Sequence, residues 1–316
     1  MSFVHADTLF LFFLLSYRYL RSGQLARLSG RSGQVVRRRM RELIRLGFVV
    51  SLRRMPLCEM VYALGPKGWE HVAGELGTSP GNLPYSRSTV KSAETLFLQH
   101  TLLTNDVRIA FDLALRDHGH VAMKRAVPEW ELANPAARKP AEKYVLAEDI
   151  RIKKGSKKST VRFRPDCLFI LYPRHQGPAY AASFFLESDR GSESVAGRIR
   201  EKYLSYKMYS QQCRYWDIWK TGKMRVLFVI EDGNPPKRIA RMREQLRSVA
   251  FDLGDSETKD DGNGSMSFVD SFRFCDASDL TERSVIDGNI WTDWQGARVS
   301  LFNRPESNQR VGGTDV

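Results

Sequence analysis

The chain has 316 residues with 42% hydrophobic content, enough for a real core and for two domains, or one domain with an appendage. Its formal net charge of +13 favours polyanionic partners, chiefly nucleic acid or an anionic membrane surface, and says little about fold. The cysteines Cys58, Cys167, Cys213 and Cys275 form no CxxC pair, which argues against a zinc ribbon and fits a reducing cytoplasm.

The most apolar stretch, LFLFFLL at residues 9–15, has no basic segment before it and carries Asp7 instead. It is far shorter than the ~20 residues of a membrane span. It predicts a buried first helix over residues 6–20, with no membrane partner. Ser22 can cap a short helix over 23–28, Ser29-Gly30 is a turn signal, and Ser32 can cap a third helix running to Leu46 and ended by Gly47. In that third helix Val35, Val36, Met40, Leu43, Ile44 and Leu46 recur at helical spacing. Arg31, Arg37, Arg38, Arg41 and Arg45 fill much of the remainder.

Two short helices joined by a tight turn, the second one basic, form a helix-turn-helix pattern whose second helix enters the major groove of DNA. Two β-rich runs follow, residues 48–53 and 60–64, around a loop at 54–59. They predict a wing, which adds Arg53 and Arg54 to the expected DNA contacts. Residues 62–69 look like the Tyr-x-Leu-Thr-x-Lys-Gly ending of many bacterial winged helices. Residues 1–75 hold twelve Lys/Arg against five Asp/Glu, which suits a surface for double-stranded DNA. A winged helix-turn-helix domain is therefore expected over 1–76.

Residues 77–88 are rich in Gly, Pro and Ser and read as a linker. A helix follows over 89–118, with Leu96, Leu103, Val107, Ala110 and Leu113 at helical spacing. It is either the first helix of a second domain or a dimerisation helix, so a homodimer stays open. Strands are expected at 121–130, 180–188, 224–231 and 266–275. A further hairpin joins 149–154 to 161–172 through a polar tip. Helices are expected at 193–212 and 236–253. This is an α/β domain over 89–302, with a central mixed sheet and helices on its faces. The acidic stretch 253–264 reads as a mobile loop and 303–316 as a disordered tail.

The chemistry concentrates in Pro165-Asp166 and in Glu187-Ser188-Asp189. Side chains alternate along a strand, so Glu187 and Asp189 share a face, and Asp166 joins them if the two strands are neighbours. Converging carboxylates repel unless a cation sits among them. Mg²⁺, with Mn²⁺ as substitute, prefers such oxygens. Lys202 and Tyr206 stand four apart on the following helix and share one of its faces. The structural alternative is a strand-end turn at Asp166 with Glu187 and Asp189 in ion pairs to Arg164 and Arg190. Glu129 is a candidate further acid, and His100 reads as an ordinary helix histidine. Residues 151–164 hold seven Lys/Arg and no acid and could track phosphates. Residues 215–219 (YWDIW) read as packing. No phosphate-binding loop, GxSxG element, catalytic-tyrosine relaxase signature or histidine cluster is present.

Asp166, then Glu187 on an adjacent strand, resembles the PD-(D/E)xK (restriction-endonuclease-like) nuclease core. That resemblance implies Asp166, Glu187 and Lys202 as catalytic residues and Asp166, Glu187 and Asp189 as metal ligands. Asp189 stands where the motif's lysine belongs, so Lys202, from the next helix, takes that part. Over roughly residues 5–230 the chain resembles the replication-relaxation family of plasmids and mobile genetic elements. The resemblance rests on the winged helix, the His100 region, Pro165-Asp166, Glu187-Ser188-Asp189-Arg190-Gly191, Lys202 and Tyr206. It implies a DNA-binding role in replication or relaxation. The protein would be either a Mg²⁺-dependent deoxyribonuclease or a non-enzymatic regulator or initiator with a degenerate nuclease-like domain.

Overall fold

The computed structural model describes residues 3–52, 59–84, 95–134, 136–154, 157–192, 194–255 and 267–302. Arg53, Arg54, Cys58, most of the expected wing loop, most of the acidic stretch and the tail lie outside the described residues.

The chain opens with α1 (His5–Tyr17), β1 (Leu20–Arg21), α2 (Ser22–Ser29) and α3 (Gly33–Arg45). The first helix stops short of Leu20, because Leu20 and Arg21 pair with β3 instead. Ser32 caps α3 as its spacing predicts, accepting from the Val35 N–H. Next come β2 (Val49–Leu52), β3 (Val61–Leu64) and α4 (Pro66–Glu75). The three strands form one small antiparallel sheet in the order β1-β3-β2. Gly68 is required where α4 meets it, since a Cβ there would lie 2.2 Å from the Phe48 carbonyl oxygen.

α5 (Thr95–Leu115) is covered on two sides by the chain itself. Leu98, Leu102 and Ile109 join the core built by α1 to α4, whereas Leu103, Val107, Ala110, Phe111 and Leu115 pack on the large sheet.

The large sheet takes β4 (Val121–Pro128), β7 (Cys167–Pro173), β8 (Ala182–Asp189), β9 (Lys223–Ile230), β10 (Phe272–Asp276), β11 (Trp291–Thr292) and β12 (Arg298–Val299). Their order is β12-β11-β10-β9-β8-β7-β4, with β8, β9 and β10 parallel and the other pairings antiparallel. A separate two-stranded ribbon pairs β5 (Glu148–Lys154) with β6 (Lys157–Phe163). The run expected as one strand over 161–172 is thus two strands in different sheets. Pro165, which lacks an N–H to continue a ladder, sits at the break.

α6 (Pro140–Lys143) is one turn, and α7 (Val195–Gln211), α8 (Arg214–Trp219) and α9 (Pro235–Asp252) complete the α-helices of the described residues. Strand alternation sorts the sheet's two faces. Leu168, Phe185, Val226 and Phe228 meet α7 and α9, whereas Phe169, Leu186, Leu227 and Val229 meet α5 and the C-terminal segment. The molecule is mixed α/β, and no helix of the described residues is long and apolar enough to cross a membrane.

Candidate functional site

On α3 the apolar positions divide by depth. Val36, Met40 and Leu43 are fully buried, whereas Val35, Ile44 and Leu46 are half-buried. The opposite face carries Gln34, Arg37, Arg38 and Arg41, all exposed, and among the described residues none of these arginines is in an ion pair. Arg31 and Arg45 are exposed too, but Arg31 lies 5.9 Å from the Phe10 ring centre and Arg45 pairs with Glu42 at 2.6 Å. Arg39 is turned inward, held by the nearly buried carboxylate of Asp7. Among the described residues, α3 therefore presents three exposed arginines that are in no ion pair.

The second cluster lies where β7, β8 and α7 meet. β7 and β8 are antiparallel with Cys167 opposite Leu186, so Asp166, one residue before β7, falls opposite Glu187. Asp166 Oδ2 accepts the Ser188 N–H at 2.6 Å, fixing the strand edge. Glu187 has the parity of Phe185 and so points beneath α7. There Lys202 Nζ meets its Oε2 at 2.7 Å, and the Tyr206 hydroxyl donates to its Oε1 at 2.8 Å. Arg198, one turn before Lys202, stands 3.7 Å from the same Oε2 and donates to the Ser188 carbonyl. Lys202 also donates to the Arg164 carbonyl at 3.1 Å. His100, on α5, brings its Nε2 to 3.1 Å from Asp166 Oδ1.

Asp166, Glu187 and Lys202 are therefore brought together. Asp189 is not among them. It shares Glu187's face, but two residues of strand carry it about 7 Å further along. There Arg238 of α9 grips both of its oxygens at 3.0 to 3.2 Å, and the Gly191 N–H donates to Oδ1 at 2.8 Å. Gly191 needs its freedom: its φ is +74°, and a Cβ would meet Asp232 at 2.9 Å. The ion pairs of Glu187 and Asp189 are buried, and they use Lys202, Arg198 and Arg238, not Arg164 and Arg190. Glu129 lies beside the cluster, 3.6 Å from Arg164. Among the described residues no group of three or more His, Cys, Asp or Glu is arranged to hold a metal ion.

Electrostatics follow from burial and these contacts. Burial pushes the Asp166 carboxyl upward, but His100 first, then Lys202 and Arg198, override it and hold the group below the usual carboxylate range. The charge of Asp166 in turn pushes the His100 imidazole up to about 9. Burial drives the Glu187 carboxyl upward against the pull of Lys202. Burial, with Glu187 beside it, also raises the Tyr206 hydroxyl well above its ordinary value. Tyr206 is a hydrogen-bond donor here and not a nucleophile in waiting.

A family model described as replication-relaxation matches residues 11–224, which takes in α3, α5, Asp166, Glu187 and Lys202. The chain belongs to the replication-relaxation family. No curated protein and no solved structure matches it. The matched span ends within β9, so β10 and the C-terminal segment of this replication-relaxation protein lie outside the matched residues.

Arg198 and Arg238 were missed by sequence reasoning. Arg198 was within reach of it, because it stands four residues before Lys202 and must share its face. Arg238 had no local signal, since it arrives from a helix some fifty residues away.

Proposed function

We propose that this replication-relaxation protein binds duplex DNA of a plasmid or mobile element through a winged helix-turn-helix formed by α1 to α3 and the β2–β3 hairpin. α3 is the recognition helix. The observation that carries this reading is the solvent side of α3, where Arg37, Arg38 and Arg41 are exposed and, among the described residues, in no ion pair, while Val36, Met40 and Leu43 are buried. Arginine there can clamp phosphate or pair with guanine in the major groove. The Lys/Arg excess of the first 75 residues supplies the sequence-independent part of the affinity.

The sheet domain, in this reading, is a nuclease-like core that serves as a platform rather than a cleaving site. The resemblance implies Mg²⁺ or Mn²⁺ at Asp166, Glu187 and Asp189, and the residues present do not fit it. Mg²⁺ needs carboxylate oxygens free to join its waters in near-octahedral geometry. Here Glu187 is taken by Tyr206 and Lys202, Asp166 by His100 and the Ser188 N–H, and Asp189 by Arg238. Four cations, Lys202, Arg198, His100 and Arg238, already compensate the three carboxylates, so their field makes no demand for another.

The hydrolytic alternative rests on one specific observation, that Asp166, Glu187 and Lys202 do converge. Labelled duplex and supercoiled plasmid, each with and without Mg²⁺ or Mn²⁺, separate the two readings. The expected result is metal-independent duplex binding, weakened at least tenfold in the double variant Arg37→Ala/Arg41→Ala by about 1 kcal/mol or more per contact, with the plasmid left unnicked. Nicking that Asp166→Ala abolishes would put the enzymatic reading in its place. Unchanged duplex affinity in the arginine variant would remove α3 as the recognition helix.

A further inference from the structure

Four arginines meet at the end of the large sheet where β9 and β10 begin. Arg225 of β9 and Arg273 of β10 have the parity of Leu227 and Cys275, so both leave the sheet on the face away from α9. Both then turn to one acceptor, the Asp270 carbonyl: Nη1 of Arg273 donates to it at 2.8 Å and Nη1 of Arg225 at 3.4 Å. Two further arginines come from α9, one turn apart. Nε of Arg243 donates to the Trp294 carbonyl at 3.2 Å, and the Arg247 guanidinium lies 5.4 Å from the Trp294 ring centre. Trp294 joins the two pairs, because its indole N–H donates to Asp270 Oδ1 at 2.5 Å. Gly296 gives Arg243 its room: φ there is +106°, and a Cβ would run into the guanidinium.

These cations are short of counter-charge. A guanidinium carries five N–H donors and stays charged in a protein. Among the described residues none of the four is in an ion pair: Arg225, Arg243 and Arg273 donate to backbone carbonyls, and Arg247 makes no hydrogen bond. Two carboxylates stand nearby, and both are committed. Asp270 is taken by the Trp294 indole, and Asp293 Oδ1 accepts the Gly296 and Ala297 N–H groups at 2.7 and 2.8 Å. Arg225, Arg243 and Arg273 are half-buried, and Arg247 is exposed. Burial, with Arg225 beside it, pushes the Arg273 guanidinium down to about 10, and Asp293 and Asp270 offset that only in part. Burial lowers Arg225 too, and it lowers Arg243 with Arg247 adding to the effect. Packing needs no second guanidinium on the Asp270 carbonyl and none above Trp294.

An anion with several acceptor oxygens answers such a surplus. Phosphate oxygens take guanidinium N–H groups in charge-assisted, often paired bonds, which neutral carbonyls cannot match. We infer that Arg225, Arg243, Arg247 and Arg273 form a site for a phosphate group, entered from the side of Arg247. A backbone phosphate of DNA and a free phosphate ion share this chemistry. Only the first of these sources rests on the reading of the protein as a duplex binder, and there the cluster is a contact separate from α3.

The test uses the full chain in two arms. In the first, the melting temperature is followed against inorganic phosphate, with chloride holding the ionic strength constant. A free ion as ligand raises it saturably, and Arg243→Ala/Arg247→Ala removes the rise. In the second, a fluorescein-labelled duplex is titrated with salt and followed by anisotropy. A backbone phosphate as ligand makes the same variant bind about tenfold more weakly and lowers the salt slope by about 0.9 per lost contact, and Arg243→Lys/Arg247→Lys recovers most of that slope. Arg247→Glu guards against misfolding, because Arg247 is exposed and makes no hydrogen bond among the described residues; it reduces the same readouts. Arg37→Ala/Arg41→Ala keeps the phosphate response of the first arm, and failure of the α3 reading shows as unchanged duplex binding in that variant alone. The inference is overturned if duplex affinity and slope in Arg243→Ala/Arg247→Ala and Arg247→Glu match the wild type and phosphate gives no saturable rise that these variants lose. A rise that persists in both variants is the general effect of an excluded salt, and counts as none.

Discussion

At the scale of single residues, the pairing of His100 with Asp166 ties stability to pH in a direction that can be worked out. The folded value of His100, about 9, lies above its ordinary 6.5. Its contribution is therefore full below about pH 6.5 and lost as pH rises through about 9. Asp166 is depressed below its ordinary 3.8, so its contribution is present above that value and lost as pH falls through the depressed one. The pair stabilises the fold most between these limits. The gap in melting temperature between wild type and His100→Gln is expected to be widest near about pH 5.5 and to close by about pH 10. A gap that stays constant across that range would mean the ion pair does not form. Much of this cluster was legible beforehand. Strand alternation gave Glu187 its face, and four-residue spacing put Lys202 and Tyr206 above it. His100 read as an ordinary helix histidine, because nothing local announces a partner sixty-six residues further on in the chain. Asp189 was grouped with Glu187 by parity, which is correct for the face and silent about the distance along it.

At the scale of elements, α5 is held by polar contacts as well as by apolar ones. Asn105 is fully buried, and its amide donates to the carbonyls of Tyr17 at 2.9 Å and Tyr19 at 2.8 Å. Those carbonyls flank Arg18, where the chain leaves α1 and turns at φ 68° into β1. Gln24 of α2 donates to the Leu102 carbonyl at 2.9 Å, and Arg108 reaches back to the Ser16 carbonyl at 3.0 Å. Removing one buried hydrogen-bonding partner costs about 1–3 kcal/mol. Asn105→Ala is expected to lower the unfolding free energy in urea by about 2 kcal/mol, and Asn105→Asp by more, since a buried negative charge would face two carbonyl oxygens. Equal stability in all three proteins would show that these bonds do not hold the helix. The long helices and the buried strands were plain from periodicity. α4 was hidden because Pro66, Gly68 and Gly74 give its sequence the look of a hairpin tail, although proline suits a first helical turn. β1 is two residues long and exists only through its pairing with β3, a contact no local pattern encodes.

At the scale of the whole molecule, α5 stands between the α3 unit and the acid–lysine cluster and touches both. Toward the first, Leu98, Leu102 and Ile109 complete the core of α1 to α4, Asp106 pairs with Arg21 and Arg27, and Tyr17 donates to Asp112. Toward the second, Thr104 hydrogen-bonds Ser188 at 2.9 Å, His100 meets Asp166, and Gln99 accepts from Arg190 at 2.7 Å. One helix thus supplies core residues to both sides, and neither side can lose it without exposing apolar surface. Composition suggested two domains joined by a Gly- and Pro-rich segment, and the burial that α5 shares with both sides leaves no trace in local sequence. Two units that share a helix should not melt apart. The full chain is expected to unfold in a single calorimetric transition whose van't Hoff and calorimetric enthalpies agree, and Asn105→Ala should lower that one midpoint instead of splitting it. A fragment of residues 1–84 lacks Leu98, Leu102, Ile109 and the Asn105 bonds, and is expected to show no cooperative melt. Two resolved transitions in the full chain, the lower one abolished by deleting residues 1–84, would show instead that the α3 unit folds on its own and only leans on α5.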